Sequence, residues 1–203
     1  MARGRRPFRR PLGERRYRTL FVIAVEGERT EPDYFGFFNR GDTTVSVKCL
    51  RRKTRTSPPQ VLGHLLSDLR KQGLTKRDSA WLVIDKDNWT DEQLREVYEW
   101  ADSADQYGVA LSNPKFEYWL LLHFEDGNDV KSSAECDTRL GRYCQGHEKA
   151  FDASKLTEQA IRDAIARARR RNTPPCERWP TKLGCTTVYL LVEKILNAQE
   201  NRG

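Results

Sequence analysis

The sequence predicts an α/β fold, a mostly parallel sheet flanked by helices with a C-terminal helical extension. Two observations carry that expectation. Strand-like and helix-like segments alternate from Thr19 to Glu125, the order that builds parallel sheets through helical crossovers. The strand segments are also nearly continuous apolar runs, "TLFVIAV" and "AWLVI", which suit strands covered on both faces.

Residues 1–17 are rich in Arg, Pro and Gly, lack apolar periodicity, and are expected to form a mobile basic arm. "TLFVIAVEG" reads as a buried strand stopped by Gly27. "TEPDYFGFFNR" reads as a helix with Thr30 as cap and Pro32 in its first turn. "TTVSVKCL" alternates as a strand, and "SPPQVLGHLLSDLRKQG" is a helix between a Ser57 cap and a Gly73 stop. "SAWLVIDKD" is a second buried strand, "TDEQLREVYEWADSAD" a helix capped by Thr90, "GVALSN" a short strand, and "PKFEYWLLLHFE" a helix opened by Pro114. These segments define an α/β core over 18–125. Residues 126–203 form the helical extension: a polar stretch of loop or short helix to residue 150, an amphipathic basic helix "SKLTEQAIRDAIARARRR", the linker "NTPPCERWP" and a closing helix "TTVYLLVEKILNAQ".

At 203 residues, with 37% hydrophobic residues, the chain has room for one substantial core. It holds no apolar run of membrane-spanning length and no signal-peptide pattern, so a cytoplasmic protein is expected. Five cysteines without a C-x-x-C pair point to free thiols, and Cys136, Cys144 and His147 are poorly spaced for a zinc site. The net charge of +7 is concentrated in three places. The arm holds Arg5, Arg6, Arg9, Arg10, Arg15 and Arg16; "RRKTR" holds Arg51, Arg52, Lys53 and Arg55; "RARRR" ends in Arg169, Arg170 and Arg171. Such clusters suit a polyanion, because each cation that meets a phosphate releases a condensed counterion. Nucleic acid, RNA or DNA, is the expected partner.

The chemistry concentrates at strand ends. In an open α/β sheet the loops after parallel strands emerge along one edge, where ligands bind. Glu26 follows the first strand, Asp85 and Asp87 the third, and Asn113 the fourth, with Glu117 one helical turn further on. Carboxylates crowded in this way repel one another unless protonated or bridged by a cation. An all-oxygen donor set without a His–Cys group suits Mg²⁺ or Mn²⁺. Such an ion activates water for phosphodiester cleavage. His123, on an apolar helix, reads either as a packed core residue or as a catalyst. The aromatic group Tyr34, Phe35, Phe37 and Phe38 reads either as core or as a base-stacking platform.

"VEGERTEPDYF", "VIDKDNW" and "LSNPKFEYWLLLHF", in this order and spacing, resemble the RloB-like family, a Toprim-fold group related to the nuclease domains of OLD-type proteins. The resemblance implies a Toprim fold in which Glu26, Asp85 and Asp87 bind Mg²⁺, with Glu26 also a general acid or base. It further implies Glu117 as an additional ligand, His123 as a proton shuttle, Asn113 as a substrate-positioning group, and Lys149 as a phosphate-stabilising lysine; Lys115, which departs from the small or neutral residue usual in that block, is expected to position substrate beside Asn113. The activity implied is a metal-dependent nuclease in prokaryotic anti-phage defence, on RNA such as tRNA or on DNA. It commonly accompanies an AAA or ABC-type ATPase, often called RloA. A nucleic-acid-binding or adaptor subunit without its own catalysis is the alternative.

Overall fold

A computed structural model describes residues 19–41, 43–51, 57–86, 89–144, 151–153, 156–176 and 178–200. The arm arginines from Arg5 to Arg16, together with Arg52, Lys53, Arg55, Asp87, His147 and Lys149, lie outside the described residues.

Five strands form one sheet in the order β2 (Val45–Leu50), β1 (Thr19–Val25), β3 (Ser79–Asp85), β4 (Tyr107–Asn113) and β5 (Cys185–Thr186). The first four are parallel and β5 pairs antiparallel with β4. Both faces are covered, so alternate residues of one strand enter different cores. Phe21, Ile23 and Val25 of β1, with Trp81 and Val83 of β3, meet α1 (Thr30–Gly36), α4 (Phe116–Leu121), α5 (Ser133–Gly141), α6 (Glu158–Arg171) and α7 (Val188–Glu200). Val22 and Ala24, with Ala80, Leu82 and Ile84, meet α2 (Pro58–Gln72) and α3 (Asp91–Ala101). Two-sided burial explains why β1 is apolar from Leu20 to Val25 and β3 from Ala80 to Ile84.

Local signals set most helix ends. Ser57 and Thr90 form capping boxes with Gln60 and Gln93, and Thr157 caps α6 by accepting from Ala160 N. Two starts differ from the sequence expectation. Thr30 is inside α1, and the reach back to an orphan N–H is made by Glu31, whose Oε1 accepts from Gly27 N at 3.0 Å. Pro114 precedes α4 rather than opening it: Asn113–Pro114 is cis and Lys115 is extended. The Phe116 N–H is accepted by Asp85 Oδ1 at 2.8 Å, so the acceptor at the start of this helix comes from the end of β3. Local pattern cannot signal such a partner.

The extension over 126–203 carries β5, which the sequence reading missed. Two residues are too short for a periodic signal, and their pairing is secured by neighbouring side chains. Leu111 N donates to Thr187 Oγ1 at 2.9 Å, and Ser112 Oγ and Thr186 Oγ1 share a hydrogen bond at 2.9 Å. Leu140, Ile161, Ile165, Val188 and Ile195 share one core with β1 and β3. No helix of the described residues is long and apolar enough to cross a membrane.

Close packing between β3 and β4 gives a direct test. Gly108 pairs with Trp81, and a Cβ at Gly108 would sit 2.7 Å from three atoms of the indole. Gly108→Ala is expected to cost about 1–3 kcal/mol, the range for overpacking a filled core. A urea midpoint equal to that of the parent protein would show that the ring shifts freely.

Candidate active site

Strand order places the candidate residues. β1 runs to β2 on one side while β3 and β4 lie on the other, so the crossovers diverge between β1 and β3, where open α/β sheets form their ligand crevice. Glu26 is the first residue past β1 and Asp85 the last of β3. The Asp85 N–H donates to Glu26 Oε2 at 3.4 Å, while Asp85 Oδ1 holds the Phe116 N–H. The two acids are thus joined through the backbone at the divergence point.

Two more carboxylates approach from the helices. Glu117 lies in the first turn of α4, and its Oε2 is 3.9 Å from Lys115 Nζ, which itself pairs with Asp137 at 2.6 Å. Glu31 is buried to 5% exposure. Burial pushes its carboxyl up from 4.5 to about 7, with the negative charge of Glu117 adding to the rise and the Gly27 N–H opposing it. A Cβ at Gly27 would overlap the Glu31 carboxylate, so a larger residue there has to displace that side chain.

Sequence reasoning missed Glu31, since an acid in the first turn of a helix reads as an ordinary partner of the helix dipole. The available signal was Gly27 four residues earlier, the close approach that a buried carboxylate needs.

The four acids supply only oxygen donors, which agree in kind with a hard divalent cation. Among the described residues no group of three His, Cys, Asp or Glu side chains is close enough to hold an ion. Glu26 and Asp85 would hold one side of it, with Asp87 two residues beyond Asp85.

His123 and Asn113 make their contacts within the fold. His123 is buried in the aromatic core: Nδ1 lies 3.1 Å from Trp119 O and 3.2 Å from Leu120 O, and Nε2 is 3.3 Å from Tyr34 Oη. Burial lowers its pKa to about 4, so it stays neutral at physiological pH. These contacts favour the core reading of His123 over the proton shuttle. Tyr34, Phe35 and Phe38 are buried, with Tyr34 meeting Phe35, Phe38, Phe116 and Trp119 edge-on, so their rings pack the core rather than stack bases. The Asn113 side-chain amide donates to Pro180 O at 3.2 Å and Thr181 O at 2.9 Å, tying the linker to the end of β4.

Arg51 is exposed just beyond β2, at the same sheet edge as Glu26. Arg169 pairs with Glu193 of α7, whereas Arg170 and Arg171 turn to the other side of α6, toward Asp126 and Asn128. The "RARRR" run is therefore divided by the helix rather than forming one patch.

A family model described as RloB-like protein matches residues 21–195. The chain belongs to the RloB-like family. No curated protein and no solved structure is detectably similar to it. The three blocks "VEGERTEPDYF", "VIDKDNW" and "LSNPKFEYWLLLHF" fall inside the matched span, and in this RloB-like chain Glu26, Asp85 and Asn113 from them stand at the carboxyl ends of β1, β3 and β4.

The buried Glu31 sets a pH dependence. Its folded pKa is raised, so its contribution is fully favourable below pH 4.5 and is lost as pH rises through about 7. A shift of that size corresponds to about 3 kcal/mol. Glu31→Gln retains an acceptor for Gly27 N without the charge. In EDTA at pH 8 it should unfold at higher urea than the parent, by about 2–3 kcal/mol, with the gap closing toward pH 5. Equal gaps at both pH values would count against the buried carboxyl.

Proposed function

We propose that this RloB-like protein is a metal-dependent nuclease that hydrolyses phosphodiesters of RNA, with tRNA one candidate, or of DNA. The observation that carries the reading is the joining of Glu26 and Asp85 at the divergence point of the sheet, with Glu31 and Glu117 approaching from the helices. Support also comes from the resemblance to Toprim-fold proteins and from Arg51 leaving the same edge. The same resemblance supports a role in prokaryotic anti-phage defence beside an AAA or ABC-type ATPase.

The residues divide the work as follows. Glu26, Asp85 and Asp87 would hold Mg²⁺ or Mn²⁺, which when bound polarises a phosphoryl oxygen and lowers the pKa of water. Asp85 accepts the Phe116 N–H, which orients its carboxylate. Glu31, with a pKa of about 7, is the group that can take up and return a proton near neutral pH. Lys115, held between Glu117 and Asp137, keeps a positive charge beside the acids.

Glu26→Gln and Asp85→Asn preserve size and hydrogen-bonding capacity while removing charge. Each is expected to reduce Mg²⁺-dependent cleavage of total RNA or plasmid DNA by at least about 100-fold, as for loss of a group acting in the transition state. The circular dichroism spectrum should be unchanged. Parent-level cleavage by either purified variant would sink the mechanism.

The exposed Arg51 beyond β2 also serves a second reading, a binding or adaptor subunit without its own catalysis. That reading requires salt-sensitive binding of nucleic acid with no cleavage in Mg²⁺ or Mn²⁺. Parallel incubations with metal and with EDTA separate the two.

A further inference from the structure

Away from the carboxylates, a cleft of about 510 Å³ is lined by Asp126, Asn128, Arg167, Arg170 and Arg171. Its lining is unbalanced, three guanidinium groups against one carboxylate. The helix supplies the arginines because α6 buries Ile161, Ala164, Ile165 and Ala168 at helical spacing, which leaves residues 167, 170 and 171 to turn toward the loop after α4.

Two of the arginines are held in place by backbone. Arg167 Nη1 donates to Leu122 O at 2.8 Å, and Arg171 Nε donates to Gly184 O at 3.2 Å, with its Nη1 on Asn128 Oδ1 at 2.8 Å. Asp126 Oδ1 then accepts from both Arg167 Nε and Arg170 Nη2 at 3.1 Å. One carboxylate oxygen between two guanidinium groups occupies the position an oxygen of a tetrahedral oxyanion would take. Planar forks held in advance are suited to phosphate, since little side-chain freedom remains to be lost on binding. The Tyr118 hydroxyl donates to Gly127 O at 3.2 Å, between the two lining residues Asp126 and Asn128, and Tyr118 follows Glu117 directly in α4.

We propose that this cleft is a phosphate-binding site that receives a backbone phosphate of the nucleic acid strand, with Asp126 as a side-chain anion that the phosphate displaces. The source of the phosphate rests on the nucleic-acid binding that the proposed function includes, not on cleavage, and the site itself rests on neither. It separates Arg167, Arg170 and Arg171 from Arg169, whose partner is Glu193.

Binding is measured in EDTA, so that cleavage plays no part, with a short single-stranded RNA and DNA of the same sequence. Arg170, 67% exposed in its side chain and paired with Asp126, can be replaced without opening the core. Arg170→Ala should weaken strand binding about tenfold, as for loss of one charge-assisted hydrogen bond, and lower the salt slope by about one. Arg162→Ala makes the same charge change on the same helix, outside the cleft and beside Glu158 and Glu200, and should change binding less than twofold. Asp126→Ala should tighten binding. Inorganic phosphate, compared with chloride at equal ionic strength, should raise the melting temperature of the parent and not of Arg170→Ala.

Equal losses in Arg170→Ala and Arg162→Ala would overturn the site, and so would a melting temperature unmoved by phosphate in the parent. Phosphate stabilisation without strand binding would overturn the assigned source and leave a site for free phosphate. If strands bind through Arg170 but are never cut in Mg²⁺ or Mn²⁺, the nuclease reading fails and this assignment stands.

Discussion

The hydrogen bond from the Phe116 N–H to Asp85 Oδ1 organises the functional edge of the molecule. It joins the end of β3 to the start of α4, and the Asp85 N–H extends the connection to Glu26 beyond β1. An ionised carboxylate accepting a backbone N–H is among the stronger hydrogen bonds available. Because it comes from the adjacent strand end, it fixes the direction in which α4 leaves the sheet. Glu117, Tyr118 and His123 take their positions from that direction.

From this junction the acids and the aromatic core are set together. α4 carries Phe116 and Trp119 inward and the turn after it carries His123, and all three meet Tyr34 of α1. α1 in turn carries Glu31, whose burial beside Gly27 raises its pKa to about 7. A carboxyl kept out of water and close to another acid is costly for the fold. Its cost is accepted at the crevice of the sheet, where such groups are commonly functional. His123 shows the contrasting case, a buried imidazole whose three near polar neighbours all lie in the core.

Charge is handled differently on the two sides of the molecule. At the sheet edge the carboxylates gather with Lys115 among them, and Arg51 stands exposed one strand away. On α6 the arginines are split between α7, where Arg162 and Arg169 meet Glu200 and Glu193, and the cleft over the loop after α4.

The alternation of strands and helices, the two-sided burial of β1 and β3, the caps at Ser57 and Thr90, and the placing of Glu26 and Asp85 at strand ends were all legible in sequence. They depend on short-range chemistry: β-branched apolar runs, cap residues and glycine stops. The blocks carrying the RloB-like resemblance lay in the same stretches. What only the tertiary structure decided came from partners distant in sequence. β5 exists because Thr186 and Thr187 bond to Ser112 and Leu111. α4 starts at Phe116 because Asp85 accepts its N–H. The identity of Glu31 as a buried acid, the core role of His123, and the division of one arginine run between two surfaces follow from burial and from opposing charges. Periodicity along the chain reports neither, because both depend on what other elements bring alongside.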